Sequence, residues 1–108
     1  MLSDGVRGKI INIGGMTLDK LINSNNMLII DVRDRNEYKI NHIKEAINIP
    51  SDYFDKYVKY IPQNKKIVLY CDRGSRSIIC SRILARKGYV VYNLVNGIHG
   101  YKGQYSKR

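Results

Sequence analysis

The stretch IVLYCDRGSRSIICSRILARK, residues 67–87, decides the fold because it predicts a buried strand, a tight loop and a helix in immediate succession. Residues 67–70 are apolar without polar alternation, which is typical of a strand covered on both faces of a parallel sheet. A helix is predicted to open near Ser75 and to end at Gly88. Cys71 is therefore expected at the carboxyl end of a strand.

An apolar stripe predicts which face of this helix packs against the sheet. Its members recur with helical spacing and are Ile79, Cys80, Ile83, Leu84 and Lys87. Because Cys80 belongs to the stripe, an inert core role is favoured over that of a resolving thiol.

The loop between strand and helix predicts an anion-binding site. Gly74 relieves the steric limit where the chain reverses most tightly, and successive backbone N–H groups are then expected to face the Cys71 sulfur. Such a nest, backed by a helix N-terminus and by Arg73 and Arg76, favours a thiolate and binds an anion above it. The interpretation is a nucleophilic cysteine, and the alternative is a core cysteine at the end of a strand.

Strands and helices alternate along the rest of the chain. Predicted strands lie at residues 9–13, 27–30, 46–49 and 90–92, and predicted helices follow Thr17, Asp34, Ser51 and Asn96. This alternation predicts one α/β domain over residues 1–108, with a mostly parallel five-stranded sheet and helices on both faces. Residues 1–8 and 105–108 are expected to be loose tails.

Charged residues follow the predicted strand at residues 27–30. Asp31 and Arg33 are expected at the same edge of the sheet as Cys71, since carboxyl ends of parallel strands share an edge. A structural ion-pair network with Glu37 is favoured over direct contact with a substrate. His42 is expected in a helix-to-strand turn, where a hydrogen-bonded structural role is favoured over that of a catalytic base.

Charge and cysteine content narrow the function classes. The chain has 19 Lys+Arg against 9 Asp+Glu, a formal net charge of +10. The basic residues are scattered over separate elements without a nucleic-acid-binding motif, so neither nucleic acid nor membrane is the expected partner. Two cysteines are too few for a disulfide framework, and the first residues are polar. A reducing, cytoplasmic location is expected.

Three ordered segments resemble the rhodanese family of sulfurtransferases in its single-domain form. They are Asp31-Val32-Arg33 with Glu37-Tyr38, His42-Ile43, Ala46 and Asn48-Ile49-Pro50; then Tyr70 to Ser77; then Asn96-Gly97-Ile98 with Tyr101. The sequence departs from the family pattern at Asn41, where glycine is usual, and at Tyr101, where tryptophan is usual. Neither departure touches the cysteine loop.

The resemblance implies a three-layer rhodanese-like fold and a sulfur-carrying nucleophile, Cys71. By that resemblance the substrate-binding residues are Asp72, Arg73, Gly74, Ser75, Arg76 and Ser77, with Asp31, Arg33, Glu37 and His42 behind them. The expected donor is a small anion such as thiosulfate, or a persulfide. The expected acceptor is cyanide, a thiol or a protein, and no metal or organic cofactor is required.

Two rival functions stay open. A cysteine phosphatase or arsenate reductase also holds a thiolate in a nest of N–H groups, but its loop places Arg after five intervening residues. Ser77 stands at that distance here, and Arg76 comes one place early. The second rival is a binding module that keeps the fold for protein contacts alone.

Overall fold

The computed structural model describes residues 8–22, 26–103 and 106–107, and a parallel sheet lies at its centre. The strands are β1 Lys9–Ile13, β2 Met27–Asp31, β3 His42–Ile43, β4 Ile47–Asn48, β5 Lys66–Tyr70, β6 Val90–Leu94 and β7 Ser106–Lys107. Within the described residues, the main sheet has five strands in the order β1-β6-β5-β2-β4, and every pair is parallel. The strand that ends before Cys71, β5, is central.

Helices cover both faces of the sheet. They are α1 Gly15–Ile22, α2 Arg35–Ile40, α3 Phe54–Tyr57 and α4 Ser75–Arg86, with 3-10 turns at Ser51–Tyr53, Val58–Tyr60 and Ile98–Gly100. Side chains alternate across β5: Leu69 and Cys71 join the core beside α3 and α4, whereas Val68 and Tyr70 join the core that contains Leu18 of α1. The predicted α/β architecture, with a parallel sheet between helical layers, is confirmed.

Three helix predictions need correction. α1 begins at Gly15, so Thr17 lies inside the helix rather than at its cap. The segment after Ser51 is not one regular helix but a 3-10 turn, the four residues of α3 and a second 3-10 turn. After Asn96 there is one 3-10 turn instead of a terminal helix, because the backbone at Gly97 (φ 60°, ψ −166°) leaves the helical region.

The inward face of α4 also differs from the predicted stripe. Ile79 is 58% exposed, and the buried positions are Ser77, Cys80, Ser81 and Leu84. These residues keep helical spacing, but two of them are serines, which an apolar pattern cannot detect. Ser77 and Ser81 are therefore part of the interior.

The carboxyl-terminal tail lies only partly within the described residues. Ser106 and Lys107 form β7, which pairs antiparallel with β3 through Lys107 opposite His42 and Ser106 opposite Ile43. These two residues are thus held by β3 rather than loose. The amino-terminal tail expected over residues 1–8 falls outside the described residues apart from Gly8, whose N–H donates to the Ala85 carbonyl at 3.0 Å. No helix in the described part of the chain has the length and apolarity that a membrane crossing requires.

Candidate functional site

The Cys71 sulfur receives two backbone amides of its own loop. The N–H groups of Gly74 and Ser77 point at Sγ, with N–S distances of 3.0 and 3.4 Å. Gly74 adopts φ 107°, a conformation that side chains other than glycine rarely take, and this turns the amides towards the sulfur. The α4 helix begins at the next residue, and the amide of Ser77, in its first turn, is the one that faces the sulfur.

A buried polar chain leads away from the sulfur. The Ser77 hydroxyl lies 3.6 Å from Cys71 Sγ and donates to Asn93 Oδ1 at 2.7 Å. Asn93, on β6, donates through Nδ2 to Asn12 Oδ1 on β1 at 3.1 Å. Ser77 is completely buried and Asn93 is 3% exposed. The sulfur therefore has a polar neighbour on its interior side, although Cys71 itself is only 1% exposed.

The turn after β6, at residues 97–99, braces the cysteine loop through backbone hydrogen bonds. The N–H groups of Ile98 and His99 donate to the carbonyls of Cys71 and Asp72 at 3.0 and 3.1 Å. A Cβ on Gly97 would lie 2.3 Å from the Asp72 carbonyl oxygen and 2.4 Å from that of Cys71, so only glycine fits this approach. The loop carbonyls are thereby fixed while its amides stay on the sulfur.

On the other side of β5, the end of β2 carries a buried ion pair. Asp31 is fully buried and Arg33 is 4% exposed, with Nη2 of Arg33 2.8 Å from Oδ2 of Asp31. Burial opposes the charge on Arg33, but the hydrogen bonds and the negative charge of Asp31 outweigh it, so the pKa of Arg33 is raised. The Arg33 guanidinium also lies 5.9 Å from the centre of the Tyr70 ring.

Glu37 binds Arg76 rather than the expected Arg33. Oε1 of Glu37 accepts from Arg76 Nη2 at 3.3 Å and from the backbone N–H of Asp34 at 3.1 Å, and the second bond is part of a capping box at the start of α2. Asp34 Oδ1 lies 3.8 Å from Arg76 Nη1. Arg76 is therefore shared by the carboxylates of Asp34 and Glu37, a contact that the sequence did not predict.

Arg73 is the more accessible cation of the loop. Its side chain is 70% exposed and its Nε lies 3.7 Å from Oδ2 of Asp72, which is 43% exposed. Exposed pairs of this kind are weak, so an anion can displace the Asp72 carboxylate at little cost. Ser75, the first residue of α4, is also exposed.

The recorded contacts of the His42 side chain are with Tyr38 rather than with residues of the cysteine loop. Its Nδ1 donates to the Tyr38 carbonyl at 2.9 Å, and its ring stacks on the Tyr38 ring with centroids 3.9 Å apart. These contacts join the first residue of β3 to α2.

Burial raises the pKa values of two residues that lie on either side of Cys71 in the sequence, Tyr70 and Cys80. It raises the pKa of Cys80 to about 12, with smaller contributions from Cys71 and Asp55. It also raises the pKa of Tyr70 well above its usual value, and the charge of Asp31 adds to the effect. Cys80 and Tyr70 are therefore neutral at physiological pH.

The predicted site residues of the cysteine loop thus fall into two groups. Cys71, Gly74 and Ser77 meet at the sulfur, whereas Asp72, Arg73, Ser75 and Arg76 form the outer side of the loop. Asn93 and the amides of Ile98 and His99 were missed. The glycine of Asn96-Gly97-Ile98 was a signal for the latter, but nothing in the sequence marks Asn93. No cluster of three or more metal-binding side chains occurs within the described ranges.

Comparison with protein families and curated proteins shows which family the chain belongs to. A model of the rhodanese-like domain matches residues 16–104. A tRNA uridine(34) hydroxylase of Buchnera aphidicola subsp. Schizaphis graminum is 33% identical over 94% of the chain and 37% of its own length. A tRNA sulfurtransferase of Desulfurococcus amylolyticus is 35% identical over 74% of the chain and 16% of its own length. The chain thus spans well under half of either relative.

A solved structure shares this fold over nearly the whole length of the solved chain. The rhodanese-related protein of Thermoplasma volcanium superposes with a TM-score of 0.77 at 26% identity, covering 85% of this chain and 95% of that one.

Proposed function

Because the chain belongs to the rhodanese-like family, we propose that it is a sulfurtransferase that carries a sulfane sulfur on Cys71. The observation that carries the proposal is the pair of amides, from Gly74 and Ser77, that point at the Cys71 sulfur. N–H donors stabilise negative charge on sulfur, both in the attacking thiolate and in the persulfide that follows.

The proposed reaction has two steps, each a displacement at sulfur. In the first, the Cys71 thiolate attacks the outer sulfur of a donor such as thiosulfate. A new S–S bond forms, the donor's own S–S bond breaks, and sulfite leaves with the bonding pair. In the second, cyanide or a thiolate attacks the outer persulfide sulfur, and Cys71 leaves as thiolate. Since both leaving groups are stable anions, no general base is needed at the sulfur.

Arg73 is the residue proposed to receive the anionic donor. It is the more exposed of the two loop arginines, and its contact with Asp72 is long and solvent-accessible. Arg76 is held by Glu37 and Asp34, so its role in the proposal is to fix the loop against α2. A guanidinium suits a sulfonate because several donors converge on its oxygens.

The phosphatase alternative is less well supported. In such an enzyme the residue six places after the cysteine is the arginine that binds the phosphoryl oxygens. Here that residue is Ser77, which is completely buried and donates to Asn93. The curated relatives are named for reactions of tRNA, but this chain spans only part of their length. The proposal therefore stops at the sulfur on Cys71.

A thiosulfate:cyanide assay tests the proposal with a matched pair of variants. Cys71→Ser should abolish thiocyanate formation, because a serine hydroxyl cannot carry the sulfur, whereas Cys80→Ser should retain it. Both variants should keep the wild-type circular dichroism spectrum. Activity that survives in Cys71→Ser, or phosphate-ester hydrolysis without sulfur transfer, would refute the sulfurtransferase assignment.

A further inference from the structure

We propose that Asn93 is a positioning residue whose amide, together with Asn12, sets whether the Ser77 hydroxyl donates a hydrogen bond to the Cys71 sulfur. The proposal rests on the proposed function, since it concerns how the same sulfur is prepared for attack. It assigns a role to a buried polar chain that runs from β1 through β6 to α4.

The series of hydrogen-bonded side chains is continuous from Cys71 to Asn12, and its inner end is shielded from solvent. Successive distances from Cys71 Sγ are 3.6 Å to Ser77 Oγ, 2.7 Å to Asn93 Oδ1 and 3.1 Å from Asn93 Nδ2 to Asn12 Oδ1. Asn12 and Asn93 are opposite residues of paired strands, so the register places both amides on the α4 side of the sheet. Asn12, at the outer end, is exposed.

The number of hydrogens available fixes the donor-to-acceptor direction of this series of hydrogen bonds. Ser77 has one hydroxyl hydrogen, and the nearest acceptor for it is Asn93 Oδ1; the Gly74 carbonyl is more distant at 3.3 Å. When the Ser77 hydroxyl donates its hydrogen to Asn93 Oδ1, a lone pair of Ser77 Oγ faces Cys71 and can accept a hydrogen bond from the thiol S–H. This arrangement suits the neutral thiol, which has a hydrogen to give.

The opposite direction suits the ionised sulfur. Once the Cys71 proton has gone to solvent, the thiolate can only accept. If the amides of Asn93 and Asn12 each turn over, Asn12 donates to Asn93, Asn93 donates to Ser77, and Ser77 donates to the sulfur. Both directions contain three hydrogen bonds between side chains, so the reversal leaves no buried polar group unpaired.

The exposed Asn12 makes the reversal possible. Its amide can exchange orientation against water, whereas a group that only accepts hydrogen bonds would hold the chain in the first direction. The charged groups on the loop are Asp72, Arg73 and Arg76, with Glu37 and Asp34 of α2 beyond them, and Cys80 is neutral. These groups stay the same when Asn12 is changed, so their effects cancel in the comparison.

The test is a set of Asn12 variants in the full chain. Asn12→Asp places an obligate acceptor at the outer end and should lower the thiolate-to-thiol ratio of Cys71 about tenfold at a fixed pH, the effect of one lost bond to a charged group. Asn12→Ala lets water occupy the end in either orientation and should change the ratio less than about twofold. The ratio is measured from the 13C chemical shift of the Cys71 Cβ.

The Ser77→Ala background separates the hydrogen-bond chain from a simple charge effect. Without the hydroxyl, Asn12→Asp should no longer change the ratio, while a through-space effect of the new carboxylate would persist. An equal ratio in Asn12→Asp and wild type, or an unchanged Asn12→Asp effect in Ser77→Ala, would overturn the inference. Since no sulfur donor is present, either result is independent of whether Cys71 transfers sulfur.

Discussion

The two cysteines of the chain are equally buried but have different surroundings. Cys71 is 1% exposed and Cys80 is 2% exposed, and both belong to the core between the sheet and α4. Cys71 follows a strand, so the amides of Gly74 and Ser77 are free to point at its sulfur. Cys80 lies inside α4, where backbone amides serve the helix itself. Access to unpaired amides, rather than burial, distinguishes a candidate nucleophile from a core residue.

Disturbing the brace around Cys71 should have the largest effect. Gly97→Ala forces a side chain into a conformation that is nearly restricted to glycine and against the carbonyls of Cys71 and Asp72, so we expect a loss of about 3 kcal/mol in stability. Sulfur transfer should fall with it. Urea unfolding and the thiocyanate assay measure the two effects.

Gly14→Ala is the matched control, because a Cβ at Gly14 meets nothing within 4 Å. It should change stability by less than about 1 kcal/mol. If Gly97→Ala were as mild as Gly14→Ala, the turn at residues 97–99 would not be bracing the loop.

Reactivity towards iodoacetamide should separate the two sulfurs next. Burial raises the pKa of Cys80 to about 12, so almost none of it is thiolate at neutral pH, whereas the Cys71 sulfur receives two amides. We expect Cys71 to be alkylated at least about a hundredfold faster. Peptide mass mapping over time gives both rates. Equal rates would remove the distinction on which the sulfurtransferase proposal depends.

Two serines on the buried face of α4 should respond in opposite directions to removal of the hydroxyl. Ser81 Oγ is buried and has no hydrogen-bond partner among the described residues, so Ser81→Ala should stabilise the fold by about 1 kcal/mol. Ser77→Ala should destabilise it by a similar amount, because Asn93 Oδ1 loses its donor. The free energy of unfolding in urea checks both. Destabilisation by Ser81→Ala would indicate a contact that the structure does not contain.

The raised pKa of Cys80 should have a smaller effect, which is seen in how the unfolding free energy changes with pH. Its pKa rises from 9.0 to about 12 on folding, so above about pH 9 the unfolded chain loses this proton while the folded chain keeps it. The unfolded state then binds fewer protons, and stability falls as pH rises towards 12. Cys80→Ala should show a shallower decline of unfolding free energy between about pH 8 and about pH 10. Identical slopes would mean that Cys80 ionises equally in both states.

Much of this arrangement follows from short stretches of sequence. The unbroken apolar run before Cys71, the glycine at Gly74 and the helix start at Ser75 together predicted the strand, the loop and the direction of the amides. Local rules sufficed there because each element begins and ends within a few residues. The capping box of Asp34 and Glu37 was predictable for the same reason.

Other features depend on contacts between distant parts of the chain. Ile79 looked like a core residue, but the inward positions of α4 are taken by Ser77 and Ser81, whose burial depends on the neighbouring strand. Arg76 could not be assigned to Glu37 before the fold brought α2 beside the loop. Likewise, Asn93 meets Ser77 and Asn12 only because β6 lies between β5 and β1.

The most direct test is to treat the protein with thiosulfate, remove the excess and measure the mass of the intact chain and of its peptides. The account predicts one additional sulfur atom, located on Cys71, absent from Cys71→Ser and released by cyanide. An unmodified Cys71, or additional sulfur found on Cys80 instead, would contradict it.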